Sequence, residues 1–125
     1  MKWAAALVAL MVAVAMTGCD RASAEQRAAE ITGGSPLRGK DKIQYYGCSS
    51  CHTIPGISGS NALVGPPLLH IANRVYIGGV LTNTPANLVR WIENPKAVDQ
   101  LTAMPYLGVT PSDARDIAGY LYTLK

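Results

Sequence analysis

Five consecutive residues constrain this chain more than anything else in it. Cys48-Ser49-Ser50-Cys51-His52 places two thiols one helical turn apart and an imidazole directly after the second. C-x-x-C-H is the pattern for covalent attachment of c-type haem. Two thiols add across the two vinyl groups on one porphyrin edge, and the adjacent His52 aims its ring at the iron. Other readings of the string ask for partners that the sequence does not offer. A thioredoxin-like redox pair wants a strand–helix–strand setting, and no alternating strand pattern is visible. A zinc site wants a second ligand pair, and His70 is the only other histidine.

The N-terminus agrees with this chemistry, because c-type haem is attached outside the bacterial cytoplasm. After Lys2, residues 3–16 form an uncharged apolar run of 14. That is short of the ~20 residues a spanning helix needs, and it suits a secretory signal. Two cleavage readings compete. Met16-Thr17-Gly18-Cys19 resembles a lipoprotein signal, in which Cys19 receives lipid and residues 1–18 are removed. Ala22-Ser23-Ala24 is an A-x-A site for ordinary release, which would leave a soluble periplasmic protein. The lipoprotein reading is favoured because it follows the apolar run directly. It puts the chain on the periplasmic side of the cytoplasmic membrane, held by a lipid anchor at Cys19.

Residues 19–36 read as a flexible tether, small and polar and ending in Gly33-Gly34-Ser35-Pro36. As coil, such a segment would reach about 20–25 Å. Residues 37–125 remain for one domain, too few for a multidomain enzyme. With Lys2 gone, ten basic and eight acidic residues leave a net charge of +2, spread along the chain. No basic arm is present, so nucleic acid is not an expected partner. A domain this small has a limited core and often needs a staple, and covalently held haem would provide one.

Met104 is the only methionine left once the leader is removed. It sits in Leu101-Thr102-Ala103-Met104-Pro105, between two helical patterns, where Pro105 stops helix from continuing. A haem iron with a proximal histidine is closed by Met or His, or left open. By elimination and context, Met104 is the expected second axial ligand and His52 the first. The competing reading of Met104 is core filler, which usually occupies a helix or strand face. His70, only 18 residues after His52, reads as a partly buried or surface histidine.

The remaining pattern is helical. Ser35-Pro36 can start a helix over 37–47, with Gly39, Ile43 and Tyr46 on one face. Thr84-Pro85 caps a second, which carries Leu88, Trp91 and Ile92 and ends at Asn94-Pro95. Thr110-Pro111 caps a third over about 111–124, with Ala114, Ile117, Ala118, Leu121 and Leu124 as its apolar stripe. Gly39 and Gly119 could let the first and last of these cross closely. The expected fold class is all-α, short helices and loops wrapped around one haem.

From Gly39 onward the chain resembles a class I cytochrome c. The resemblance rests on Cys48-Ser49-Ser50-Cys51-His52, on Gly65-Pro66-Pro67-Leu68, on Arg74 nine residues after Gly65, and on Glu93-Asn94-Pro95-Lys96 before Met104. Asn83-Thr84-Pro85-Ala86-Asn87-Leu88 and Trp91-Ile92 are similar to the cytochrome c domain attached to subunit II of some bacterial haem–copper oxidases. The resemblance implies that the Pro66 carbonyl accepts from Nδ1–H of His52, leaving Nε2 for iron. It implies that Arg74 lies near a haem propionate and Trp91 beside the haem and Met104. The many lysines of the mitochondrial carrier's docking face are missing here.

The function these readings imply is one-electron transfer in a bacterial respiratory chain, without catalysis. Redox partner proteins would be a terminal oxidase or a cytochrome bc1-type complex. Two alternatives stay open. A haem-based gas sensor would need a vacant or labile sixth site. A haem subunit of a periplasmic oxidoreductase complex would need a partner to supply the chemistry, since no spare acid–base group is evident beside the iron.

Overall fold

The computed structural model describes residues 20–125; the leader 1–18 and Cys19 lie outside the described residues. Helix α1 is helical through residue 32, α2 is Pro36–Tyr45, α3 Pro85–Glu93, α4 Pro95–Val98 and α5 Pro111–Leu121. A 3-10 turn spans Cys48–Ser50 and another Ile71–Asn73. None of the described helices is long and apolar enough to cross a membrane.

Each helix from α2 onward starts the same way. Ser35, Thr84, Asn94 and Thr110 accept a bond from a backbone N–H three residues on, and proline follows each as the first helical residue. The side chain satisfies one of the four orphan donors at a helix start, and proline has no N–H there to lose. α2 begins one residue earlier than expected and ends at Tyr45, with Gly47 in the left-handed region at φ 72°. α5 stops at Leu121, so Leu124 lies beyond it, half-buried.

The core lies between α2, α3 and α5, with Ile43, Leu88, Trp91, Ile92, Ala114, Ile117, Ala118 and Leu121 buried. α2 and α5 touch at Gly39, where a Cβ would lie 1.9 Å from the Asp116 carbonyl oxygen. Only a residue without a side chain allows that approach. Gly119 serves a different contact from the one expected: it faces the link into α2, with Thr32 Oγ1 and Gly34 O both 3.3 Å from where its Cβ would be. A bidentate ion pair closes the α2–α5 crossing. Arg38 Nε and Nη2 donate to Asp116 Oδ2 and Oδ1 at 2.7 and 2.8 Å, and Ser35 N–H donates to Oδ1 at 2.6 Å.

Two expectations are corrected. The fold is mostly helical but not all-α, because Tyr76–Ile77 (β1) pairs antiparallel with Leu81–Thr82 (β2). Strands of two residues are too short to show an alternating pattern. The available signal was the Gly78-Gly79 pair between them, with both residues at positive φ. The tether reading of 19–36 also fails over residues 20–32, which are helical, with Ala28 and Thr32 buried. Its small polar residues include strong helix formers, and Arg21–Glu25 and Gln26–Glu30 pair at four-residue spacing.

Burial pushes the Asp116 carboxyl up, but its bonds from Arg38 and Ser35 more than offset this and hold it below the ordinary carboxylate value. The hydrogen bond from Tyr46 does the same for Asp113, against its partial desolvation. A depressed carboxylate stabilises the fold above the unfolded value of about 4, and that contribution disappears as pH falls through the folded value. Asp116→Asn should therefore cost about 2 kcal/mol near neutrality, a buried-pair figure discounted because Arg38 is largely exposed. Urea unfolding from pH 7 down to about 2 should show a shallower acid decline in the variant than in the parent.

Candidate functional site

The Cys48-Ser49-Ser50-Cys51-His52 segment starts where α2 stops. Left-handed Gly47 turns the chain, and the Cys48 carbonyl then accepts from both Cys51 N–H at 3.2 Å and His52 N–H at 3.0 Å. The two cysteines are half-buried and not bonded to each other. Burial pushes the Cys48 thiol up, so it stays protonated at neutral pH. A neutral thiol can still add across a vinyl double bond, its proton going to the neighbouring carbon.

His52 is framed on several sides. Its Nδ1 lies 2.7 Å from the Pro66 carbonyl oxygen, which leaves Nε2 as the free ring nitrogen. Gly65 lies against the ring itself: a Cβ there would fall 2.4 Å from Cε1 and 3.0 Å from Nε2. Two backbone bonds lay segment 65–68 beside the His52 segment. Gly65 N–H donates to Cys51 O at 2.7 Å and Leu68 N–H to Thr53 O at 2.8 Å. Buried Ser60 closes the intervening loop, donating to His52 O at 2.7 Å and accepting from Ile54 N–H at 3.0 Å.

The other expected site residues fall around this frame. Half-buried Arg74 donates through Nη2 to Pro67 O and, at 3.2 Å, to Leu69 O, so it ties the loop that carries Pro66. Trp91 is buried in the core, and Gly78 presses on its ring, where a Cβ would lie 2.6 Å from Cη2. Met104 and Cys48 are both half-buried and both pack against the core that contains Trp91. The side-chain hydrogen bond among these residues is the one between His52 and Pro66; Met104 and Cys48 have the core as their common neighbour. His70 is exposed and holds a left-handed conformation at φ 54°.

The residues present fit a covalently held haem on three grounds. The donor set offers two free thiols beside a histidine whose tautomer is fixed. Gly65 leaves the imidazole the room that a side chain would fill. Many of the large exposed apolar side chains fall in the two loops that carry Pro66, Arg74 and Met104: Leu63 is 76% exposed, Val64 78% and Leu101 94%, with Leu69, Val75, Tyr106 and Leu107 also exposed. Soluble domains seldom leave so much apolar surface in two stretches unless something covers it. The alternatives do not gain support. Among the described residues no cluster of three His, Cys, Asp or Glu side chains could hold a bare metal ion, and the strands are too short for a thioredoxin-like unit.

Sequence reasoning missed three supports of the site. The steric role of Gly65 needs coordinates to be seen. Ser60 sits in an uninformative Ser/Gly run. Lys96, within Glu93-Asn94-Pro95-Lys96, reaches back over the next loop, where its ammonium donates to Thr102 O and, at 3.3 Å, to Gln100 O. Thr102 Oγ1 in turn accepts from Met104 N–H at 3.2 Å.

The chain is similar to cytochrome c oxidase subunit 2 of Alkalihalophilus pseudofirmus, 29% identical over 89 residues, which is 70% of this chain and 25% of that protein. It therefore spans about a quarter of the length of the curated relative it matches. No family model matches the chain, and no solved structure matches it.

The Lys96 clamp has a measurable consequence. Lys96→Met keeps the aliphatic stem and removes the donors that gather the carbonyls of Gln100 and Thr102. Backbone amides of 99–104 should then exchange faster with solvent while those of α5 keep their protection, as read by hydrogen-exchange mass spectrometry.

Proposed function

We propose that this chain is a one-electron carrier of a bacterial respiratory chain, with one haem c held by Cys48, Cys51, His52 and Met104. The observation that carries the reading is the arrangement at His52. Two thiols, one imidazole tied through Nδ1 to Pro66 O, and a glycine pressed on the ring suit a fixed axial ligand. Similarity to an oxidase subunit supports an electron-transfer role in respiration.

When bound, haem c supplies a one-electron ferric/ferrous couple. The chain's own residues do the rest. Cys48 and Cys51 would hold the group through thioether bonds. The Pro66 carbonyl holds Nδ1–H of His52, so Nε2 is the nitrogen that would bind iron, strengthened as a donor. Met104 would close the sixth position, and a neutral thioether there favours the reduced state more than a second histidine would. The hydrogen bonds that hold the His52 ring and the Met104 backbone would keep reorganisation between oxidation states small. Arg74 and Trp91 would lie beside the group, Arg74 offering positive charge to a propionate.

Carbon monoxide tests the reading. The protein, made together with haem-attachment machinery and reduced, should keep its visible spectrum unchanged when the gas is added. Met104→Ala should instead form a carbon monoxide complex. Rapid binding by the parent would show an open sixth site and favour a gas sensor.

The likeness to an oxidase subunit also supports association with a respiratory complex at a membrane. A terminal oxidase or a cytochrome bc1-type complex would be the redox partner, and a lipid on Cys19, read from Met16-Thr17-Gly18-Cys19, would be the anchor. The mass of the mature N-terminus checks this. A diacylglyceryl-modified Cys19 is expected, and a chain beginning at Glu25 would sink the anchor.

A further inference from the structure

The proposed function uses Pro66 and Arg74 but leaves unexplained what holds their loop. Asn83, half-buried just after β2, spends its whole side chain on that task. Its Nδ2 donates to the carbonyl oxygens of Ile71 and Arg74, both at 2.8 Å, and its Oδ1 accepts from the Tyr122 hydroxyl at 2.8 Å. Its own N–H donates to Val75 O at 2.8 Å. The 71–75 turn is thereby fastened to the end of α5, where Ala72 N–H also donates to Leu124 O at 3.1 Å. From Arg74 the connection continues through its guanidinium to Pro67 O and Leu69 O, and the neighbouring carbonyl, Pro66 O, holds His52 Nδ1. A continuous path of hydrogen bonds and single peptide links thus runs from Tyr122 through Asn83, Arg74 and Pro66 to the proximal imidazole.

We propose that Asn83 is a positioning residue for the His52 imidazole, setting through Arg74 how firmly Pro66 O holds Nδ1–H. This rests on the proposed function, since it concerns His52 as an iron ligand. An amide suits the position because it presents two donors and an acceptor in one plane, and three of its bonding sites are used here. Ala offers none of them, Asp would turn an acceptor toward two carbonyl oxygens, and the Arg74 carbonyl and Tyr122 hydroxyl would lose the partner they have here.

The effect on His52 has a sign. A carbonyl held firmly against Nδ1–H makes the imidazole a stronger donor, which favours ferric iron. Releasing the loop weakens that bond, so the reduction potential should rise. The Nδ1 proton should also exchange with solvent faster. The expected increase is at least tenfold, which corresponds to about 1.4 kcal/mol.

The test compares parent, Asn83→Ala and Tyr122→Phe holoproteins. Covalent haem is verified first by mass. The potential is then measured by redox titration, and Nδ1–H exchange is measured by nitrogen-15 NMR of the reduced, diamagnetic state. Asn83→Ala is expected to raise the potential and speed exchange at least tenfold. Tyr122→Phe, which spares both amide donors, should move both quantities the same way by less, and it carries the test if Asn83→Ala does not fold. A folded variant that loses thermal stability with both quantities unchanged would overturn the proposal and make Asn83 a scaffold residue. Failure of the parent to take up haem is a separate outcome: it removes the proposed function, and the role of Asn83 with it.

Discussion

The contact between Gly39 on α2 and the Asp116 carbonyl on α5 sets everything downstream of it. A backbone-to-backbone approach this close leaves no slack along the helix axis, and the Arg38–Asp116 pair beside it fixes rotation. α2 then has one place to end. Gly47 reverses the chain there, and Cys48 begins at a point determined two turns earlier. The thiols and the imidazole need no rigidity of their own, because the helix crossing supplies it.

The second half of the site is held by loops, and loops need a different kind of support. Segment 65–68 is pinned to 51–53 by backbone bonds, segment 71–75 by Asn83, and segment 99–104 by Lys96. In each case a polar group gathers carbonyl oxygens that secondary structure would otherwise have satisfied. This is how a domain rich in Gly and Pro keeps precision without long helices. The acceptors are backbone atoms, so their position depends little on which side chains decorate the loops. For segments 71–75 and 99–104 the donors are single side chains, so the losses on substitution there should be local.

That division explains what the sequence made legible. Helices α2, α3 and α5 were readable because each carries its own start signal, a capping side chain followed by proline, and because their apolar spacing matches the faces found buried, whereas Asn94-Pro95 was read only as the end of α3 and not as the start of α4. The Cys48–His52 string stands out in the sequence because its pattern is local. The pairing of β1 with β2 was not, since two residues carry no period. The helix over 20–32 was hidden for the opposite reason: small polar residues next to Gly-Gly read as linker, while its buried side is only an alanine and a threonine. Gly65 and Asn83 were out of reach because their roles are distances between separate segments, and Lys96 because its clamp depends on how the loop after α4 folds against it. Asn83 and Tyr122 are 39 residues apart, and no pattern in either neighbourhood announces the other.

Helical residues at 20–32 also change how an anchored domain would behave. A coil of that length would let the domain sample many orientations over a membrane. Here Thr32 Oγ1 sits against Gly119 of α5, and Gly34 against the backbone of Arg115, so the link between α1 and the domain is short and packed. With a lipid at Cys19, the anchor would begin directly before this helix instead of at the far end of a loose chain. The exposed edge of the Cys48–Cys51 segment would then keep a limited range of attitudes toward the membrane. A formal net charge of only +3 gives weak long-range steering. Restricted orientation near a membrane-embedded partner raises effective concentration without charge. A docked helix can thus supply by geometry what a lysine-rich face supplies by electrostatics.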